Sequence, residues 1–173
     1  MSVPTEHKKH APKKLSFSVF IVSTSRSKGT GKEDVTGETI ESKLREAGHY
    51  LVRREIIPDD VHEIRSALMK SVEDSDVIIF SGGTGVHPED VTPEALLPLL
   101  DKELPGFGEL FRFLSYSTVG SSAIASRAFA GVYRGKLVFA LPGSPDAAEL
   151  ALTELILPEA PHLVWLASSS TRK

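Results

Sequence analysis

Apolar and polar positions divide the chain into two kinds of segment. Residues 17–22 are mostly apolar and predict a strand, and the continuous apolar run at 77–80 is typical of a strand that is buried on both faces of a parallel sheet. Elsewhere, apolar residues recur every three or four positions, which predicts helices with one buried face. The apolar positions of the two clearest helices are Ile40, Leu44 and Ala47, followed by Val61, Ile64, Leu68 and Val72.

The second half of the chain continues this alternation. Thr92 is expected to cap a helix that has Pro93 at its first position. A hairpin turn is predicted at residues 133–136. The other predicted elements are strands at 49–57 and 137–141 and helices at 106–118, 146–157 and 158–167. Strands that alternate with helices predict an α/β fold with a mainly parallel central sheet.

Composition is that of a soluble globular domain, because 40% of the 173 residues are hydrophobic and 25% are charged. We expect a disordered basic tail at residues 1–14, a single domain at 15–167 and a frayed C-terminus at 168–173. The net charge of -3 argues against a nucleic-acid partner, and no apolar run approaches the length of a membrane span. The absence of cysteine excludes disulfides and thiolate chemistry. We expect a cytoplasmic protein.

Three polar turns follow predicted strands, at residues 23–37, 81–90 and 142–146. In open α/β sheets, ligands bind outside the carboxyl ends of the strands. The turn Ser81-Gly82-Gly83-Thr84-Gly85 could offer backbone amides to a phosphate, although it lacks the spacing of a P-loop. The glycines alone are equally typical of a tight turn without a ligand.

Acidic residues accompany these turns. Asp90 would repel a phosphate at the glycine turn unless a divalent cation bridged them, and Mg²⁺ takes oxygen ligands of both kinds. Asp90 could instead be a loop acid or a helix cap. One of Asp59 and Asp60 is expected to cap the following helix, and the other could bind the metal or the substrate.

Several segments together resemble the MoaB/Mog family of molybdenum-cofactor biosynthesis proteins. They are "FIVSTSRSKGTGKEDVTG", "IIPDD", "SGGTG" with its later Asp and "TPEALLPLL", "GFGELFRFLS", "SSAIASRAFAG" and "LPGSPDA". The resemblance covers residues 17–166 and implies a three-layer α/β/α sandwich that forms trimers or hexamers. It also implies transfer of AMP from Mg-ATP to molybdopterin with release of pyrophosphate. This reaction prepares the pterin for molybdenum or tungsten.

The resemblance also implies roles for individual residues, matched motif by motif. Asp59 and Asp90 would be catalytic and would bind Mg²⁺. Molybdopterin would contact Ser115, Ser126 and Arg127. The nucleotide would contact Ser81, Gly82, Gly83, Thr84 and Gly85 in the first turn, and Pro142, Gly143 and Ser144 in the second.

A non-catalytic carrier of molybdopterin or nucleotide with the same fold is the alternative function. Ala140 stands where Mog-type members often carry Asn, so the chain is closer to the MoaB branch. Release of pyrophosphate from ATP in the presence of molybdopterin distinguishes an enzyme from a carrier.

Overall fold

The computed structural model describes residues 11–31 and 33–168. Most of the predicted basic tail at 1–14 and most of the predicted frayed end at 168–173 lie outside these residues. The described part contains one six-stranded sheet with the strand order β2-β1-β3-β6-β5-β4. The strands are β1 (Ser16–Val22), β2 (Tyr50–Ile57), β3 (Val77–Ser81), β4 (Lys102–Glu103), β5 (Phe129–Tyr133) and β6 (Lys136–Leu141).

Four strands, β2, β1, β3 and β6, run parallel, whereas β5 pairs antiparallel with β6 and β4 pairs antiparallel with β5. The helices are α1 (Thr24–Ser27), α2 (Val35–Glu46), α3 (Val61–Ser71), α4 (Thr92–Leu96), α5 (Pro105–Val119) and α6 (Pro145–Ser168). Short 3₁₀ turns at Leu97–Leu99 and Gly120–Ala125 follow α4 and α5.

The sheet separates two hydrophobic clusters and so forms the middle of three layers. On one face, α2, α5 and α6 pack against alternate strand residues such as Val19, Ile79 and Phe139. On the other face, α3 and α4 pack against residues such as Phe20 and Phe80, whose rings stack with centroids 5.1 Å apart. The predicted α/β/α sandwich with a mainly parallel sheet is therefore confirmed.

The central position of β3 explains its continuous apolar sequence. All five of its residues are buried, because β1 and β6 flank it and helices cover both faces. Its register places Phe80 beside Phe20 of β1 and Ala140 of β6. A strand in this position ends at the middle of the sheet edge.

The edge strand β2 is different, because three charged residues occupy its middle. Arg53 forms an ion pair with Asp74. The Arg54 guanidinium lies 3.1 Å from a Glu41 carboxylate oxygen on α2. Charges on an edge strand oppose pairing with another strand.

The hairpin turn was predicted correctly. Arg134 has φ 48° and Gly135 has φ 75°, the backbone pattern of a two-residue turn that matches the twist of the flanking strands. The short elements α1 and β4 were missed, because segments of four and two residues carry no periodic pattern.

The prediction that Thr92 caps a helix was wrong. Thr92 lies inside the first turn of α4, and its buried hydroxyl donates to the Gly82 carbonyl oxygen at 2.9 Å. The Thr92 amide also donates to the Gly83 carbonyl oxygen at 3.0 Å. Thr92 therefore joins α4 to the glycine turn that follows β3.

The predicted break at residue 158 was also wrong. One helix runs from Pro145 to Ser168 and includes a π turn at Leu152–Ile156. The wider turn lets the helix continue past Pro158, whose ring would meet the Glu154 carbonyl in a regular α-helix. Among the described residues, this is the one helix that is long and apolar enough to span a membrane. Its residues Ala151 and Leu152, among others, instead belong to the hydrophobic cluster on one face of the sheet.

We expect Thr92→Val to lower the free energy of unfolding by about 1–3 kcal/mol, because it leaves a buried carbonyl without its donor. The matched control is Thr39→Val, which removes a solvent-exposed bond to the Val35 carbonyl oxygen and should change stability little. Denaturant unfolding of both variants measures the difference. Equal stabilities for the two variants would contradict the proposed importance of the Thr92 bond.

Candidate active site

The turns that follow four strands meet at one edge of the sheet and line an open cavity of about 510 Å³. Residues just after β1, β2, β3 and β6 line this cavity, as expected for the carboxyl edge of a parallel sheet. Its lining residues are Val22, Ser23, Arg26, Asp59, Gly82, Gly83, Thr84, Gly85, Asp90, Ala125, Ser126, Pro142 and Gly143. Most residues predicted for a nucleotide site therefore lie around one cavity.

The glycine turn depends on residues without side chains at two positions. Gly82 has φ +117°, and a Cβ there would lie 2.2 Å from the Val22 carbonyl oxygen. Gly83 has φ +62°, and a Cβ there would lie 2.5 Å from Thr92 Oγ1 and 3.1 Å from Asp59 Oδ1. Close packing within the fold therefore requires glycine at both positions.

Asp90 lies against the end of this turn. A Cβ at Gly85 would lie 2.7 Å from Asp90 Oδ2. The same carboxylate oxygen accepts a hydrogen bond from the His87 amide at 2.9 Å, and the Asp90 amide donates to the His87 carbonyl oxygen at 2.9 Å. Asp90 thus closes its own loop and also borders the cavity, so the two interpretations of this acid are compatible.

The structure separates the roles of Asp59 and Asp60. Asp60 caps α3, since its Oδ1 accepts from the amides of His62 and Glu63 at 2.8 and 3.0 Å. Asp59 borders the cavity, and its Oδ2 accepts from the Thr24 amide and hydroxyl, both at 2.8 Å. The Asp59 side chain therefore joins the turn after β2 to the turn after β1.

A second cavity of about 540 Å³ adjoins the first. Ser126 and Pro142 line both cavities. The wall of the second cavity also includes Ser115 and Ser144, with α6 acids such as Glu154. The two predicted serines of the pterin site thus lie beside the predicted nucleotide site.

Ser81 and Ser144, also predicted to contact the nucleotide, use their hydroxyl groups in hydrogen bonds within the fold. Ser81 is buried, lines neither cavity, and donates its hydroxyl to the Pro142 carbonyl oxygen at 3.0 Å. Ser144 accepts from the Ala147 amide at 3.3 Å and caps α6. Ser81 therefore connects the two turns, and its contact with nucleotide stays a prediction.

The Arg127 side chain lines neither of these two cavities, although the residue directly follows Ser126. Its Nε donates to the Gly85 carbonyl oxygen at 2.8 Å, and its Nη2 donates to the Asp90 carbonyl oxygen at 2.9 Å. Its remaining nitrogen, Nη1, pairs with the Glu94 carboxylate, and this hydrogen bond lowers the pKa of Glu94. Arg127 lines a third cavity, of about 460 Å³, rather than the other two.

Thr24 and Arg26 were not predicted as site residues. Thr24 contacts Asp59, and Arg26 supplies a cation to the wall of the first cavity. Arg26 has a recognisable signal in the sequence, because it is a basic residue in a turn that follows a predicted strand, as Asp59 and Asp90 are acidic residues in such turns. The bond between Thr24 and Asp59 has no comparable signal, since the two residues are 35 positions apart.

The acidic residues of the site suit Mg²⁺ better than a metal ion that takes all its ligands from protein side chains. Among residues 11–31 and 33–168, no group of three or more His, Cys, Asp or Glu side chains could hold a metal ion. Asp59 and Asp90 nevertheless both border the first cavity. Mg²⁺ is typically held by one or two carboxylates together with water and substrate phosphates.

Comparison with known proteins identifies the family. Residues 18–162 match a family model described as "Probable molybdopterin binding domain". Molybdenum cofactor biosynthesis protein B from Bacillus cereus is 46% identical over 168 residues, covering 95% of this chain and 97% of the relative. The chain belongs to the MoaB/Mog family of molybdenum-cofactor biosynthesis proteins.

Other members of the MoaB/Mog family are similar to this chain in sequence and in structure. A Pyrococcus furiosus protein named molybdopterin adenylyltransferase is 42% identical over 164 residues, covering 92% of this chain and 95% of the relative. The crystal structure of the tungsten cofactor synthesizing protein MoaB from Pyrococcus furiosus superposes with a TM-score of 0.84 at 40% identity. The superposition covers 91% of this chain and 99% of that one. All residues that line the first and second cavities lie within residues 18–162, which match the family model.

We expect Gly83→Ala to lower the free energy of unfolding by about 1–3 kcal/mol, because alanine would occupy a left-handed conformation and contact Thr92 and Asp59. Gly106→Ala is the matched control. A Cβ at Gly106 would meet no atom within 4 Å, so this variant should be as stable as the wild type or up to about 1 kcal/mol more stable. Thermal or denaturant unfolding of both variants tests the expectation, which fails if Gly83→Ala retains wild-type stability.

Proposed function

We propose that the protein is a molybdopterin adenylyltransferase that uses Mg-ATP and releases pyrophosphate. The observation that carries the proposal is the pair of adjoining cavities that share Ser126 and Pro142. A transfer between two substrates requires that both be bound side by side with their reacting groups in contact. The name of the Pyrococcus furiosus relative supports the same reaction class.

The first cavity suits the phosphates of ATP. The glycine turn is part of its lining, and beyond Gly82, whose amide donates to Leu141, the turn has little side-chain bulk to shield its backbone from a phosphate. Arg26, in the turn after β1, adds a cation to the wall. Pro142 and Gly143 add a second turn with little side-chain bulk, which could accommodate a flat base.

The second cavity suits a pterin. Hydroxyl groups and carboxylates in its wall can hydrogen-bond the polar edge of the ring system, while Phe111, Val119 and Leu150 offer apolar contact. Ser126 lies where the two cavities meet, next to the place where a phosphate of the pterin would approach the nucleotide. We therefore assign Ser115 and Ser126 to pterin binding.

The reaction is attack by an oxygen of the terminal phosphate of molybdopterin on the α-phosphorus of ATP. A new bond forms between this oxygen and the phosphorus, and the bond from the phosphorus to the pyrophosphate oxygen breaks. The attacking phosphate is already anionic, so no side chain has to remove a proton. The protein's contribution is to hold two anions together and to neutralise their charge.

Asp59 and Asp90 would hold the Mg²⁺ ion. Bound there, Mg²⁺ would supply positive charge between the carboxylates and the phosphate oxygens. The Thr24 bonds to one oxygen of Asp59 and the His87 bond to one oxygen of Asp90 fix the two side chains. ATP, the proposed co-substrate, is a cytoplasmic metabolite, so we place the reaction in the cytoplasm.

Self-association is the remaining part of the proposal. Helical spacing places Phe107, Leu110, Phe111 and Leu114 on one side of α5, and of these only Phe111 is fully buried, whereas Leu110 is 53% exposed. Large apolar residues remain on the surface of α5 and the following turn. They are Leu110, Phe113, Tyr116, Val119 and Ile124. We propose that copies of the chain cover this surface and form a trimer, or a hexamer built from trimers.

We expect Asp90→Asn to reduce AMP transfer by about 100-fold or more, because asparagine keeps the shape of the side chain but removes the charge that holds Mg²⁺. Molybdopterin affinity should change little, and metal-free nucleotide affinity should stay equal or increase, since a repulsive charge has gone. Pyrophosphate release and titration calorimetry measure these quantities. Glu89→Gln, a neutralised neighbour on the exposed part of the loop, is the control and should retain activity.

Two outcomes would contradict the proposal in different ways. Normal turnover by Asp90→Asn would show that Asp90 is only a loop acid. Wild-type protein that binds both ligands and releases no pyrophosphate would show that the chain is a carrier, the alternative function.

We expect light scattering to report a trimer or hexamer at micromolar concentration. Phe113→Asp should weaken the assembly, because the 74% exposed ring lies within the apolar surface of α5. Met69→Asp is the control, since Met69 is 50% exposed on α3, on the opposite face of the sheet. A monomeric wild type would overturn the expectation, as would equal effects of the two substitutions.

A further inference from the structure

One arginine holds both ends of the loop that carries Asp90. The Arg127 amide donates to the Thr84 carbonyl oxygen at 3.0 Å. Its guanidinium donates to the carbonyl oxygens of Gly85 and Asp90 at 2.8 and 2.9 Å. Residues 84–90, here called the Asp90 loop, are thus bonded three times to a single residue just before β5.

The middle of the Asp90 loop has little other support. Val86 is 75% exposed, and His87, Pro88 and Glu89 are also exposed. The bonds between His87 and Asp90 close the loop on itself but do not attach it to the sheet. The described contacts therefore make Arg127 the main link between the two ends of this loop and the rest of the domain.

The position of Glu94 orients the guanidinium. Glu94 lies in the first turn of α4, and its carboxylate pairs with Nη1 of Arg127, the nitrogen that is not bonded to the loop. With Nε and Nη2 occupied by Gly85 and Asp90, all three guanidinium nitrogens have acceptors. A planar guanidinium can satisfy three such acceptors in fixed directions, whereas an ammonium group acts as a point charge.

The side of the loop that Arg127 occupies argues against direct contact with the ligands. Arg127 and Glu94 border the third cavity, together with Arg112, Pro105 and neighbouring residues. Arg127 is absent from the walls of the two cavities assigned to nucleotide and pterin. The bonds of the guanidinium to the loop are therefore the contacts through which this side chain would act on the reaction.

We propose that Arg127 is a positioning residue, which fixes the Asp90 loop so that the Asp90 carboxylate faces the glycine turn at the spacing that the metal requires. The proposal rests on the proposed function for its catalytic consequence. It replaces direct contact with molybdopterin as the role of this side chain. Glu94 supports it by orienting the guanidinium.

The test compares Arg127→Lys with Arg65→Lys. Arg65 is a matched control, because its guanidinium also donates to backbone carbonyls, those of Ala95 and Glu94, but contacts none in the Asp90 loop. Glu94→Gln is a second, milder variant that keeps Arg127 in place if the lysine variant folds poorly. All variants are purified as the full chain.

In Arg127→Lys we expect amide hydrogen exchange in the Asp90 loop to accelerate about tenfold, since hydrogen bonds from a charged donor are lost. The Mg²⁺ concentration for half-maximal pyrophosphate release should rise by about the same factor, while the KM for molybdopterin should stay within about twofold of wild type. Glu94→Gln should change both quantities in the same direction but less. Arg65→Lys should change neither.

The opposite pattern would overturn the proposal. A raised KM for molybdopterin with unchanged loop exchange and unchanged Mg²⁺ requirement would show that Arg127 contacts the substrate. Equal loss of melting temperature in both lysine variants without faster loop exchange would show a packing role only. If the wild type released no pyrophosphate, the proposed function would fail, whereas the exchange measurement would still decide whether Arg127 holds the loop.

Discussion

At Gly82 the backbone of the central strand comes into contact with the ends of both neighbouring strands. The Gly82 amide donates to the Leu141 carbonyl oxygen at 2.9 Å, and a Cβ on this residue would lie 2.2 Å from the Val22 carbonyl oxygen. A Cβ at Gly143 would lie 3.4 Å from Gly82 Cα. The turns after β1, β3 and β6 can form one site only because backbone packs on backbone here. The cavity, the acids around it and the loop that carries Asp90 all depend on this close approach.

Sequence patterns were sufficient to predict features that depend on residues close together in the chain or on a continuous buried strand. The run 77–80, the hairpin turn at Arg134 and Gly135, and a helix cap at Asp59 or Asp60 are of this kind. The patterns failed where a distant contact decides. Thr92 bonds to Gly82, ten positions earlier, and Arg127 bonds to Gly85, forty-two positions earlier. The motifs identified which residues gather at the sheet edge. The direction in which each side chain points could be read only from the three-dimensional structure.

Charge is arranged unevenly around the two cavities. Asp59 and Asp90 border the cavity that has the glycine turn and Arg26, so negative and positive groups face the same space. Asp146, Glu149 and Glu154 border the second cavity, and Lys43 lies 2.8 Å from one Glu149 oxygen. A site with this arrangement would hold anionic ligands weakly without a cation and more firmly with one. In the proposed function, binding of Mg²⁺ and of nucleotide would therefore be coupled.

The two edges of the sheet restrict how copies of the chain can join. On β2 the charges of Arg53, Arg54 and Glu55 oppose the addition of a strand from another molecule. On the opposite edge, β4 has only two residues, too few to align a partner strand. Growth by continuing the sheet from molecule to molecule, the route to open-ended fibres, is thus blocked at both ends. Contact through the apolar surface of α5, as in the proposed trimer, is compatible instead with a closed ring of fixed size.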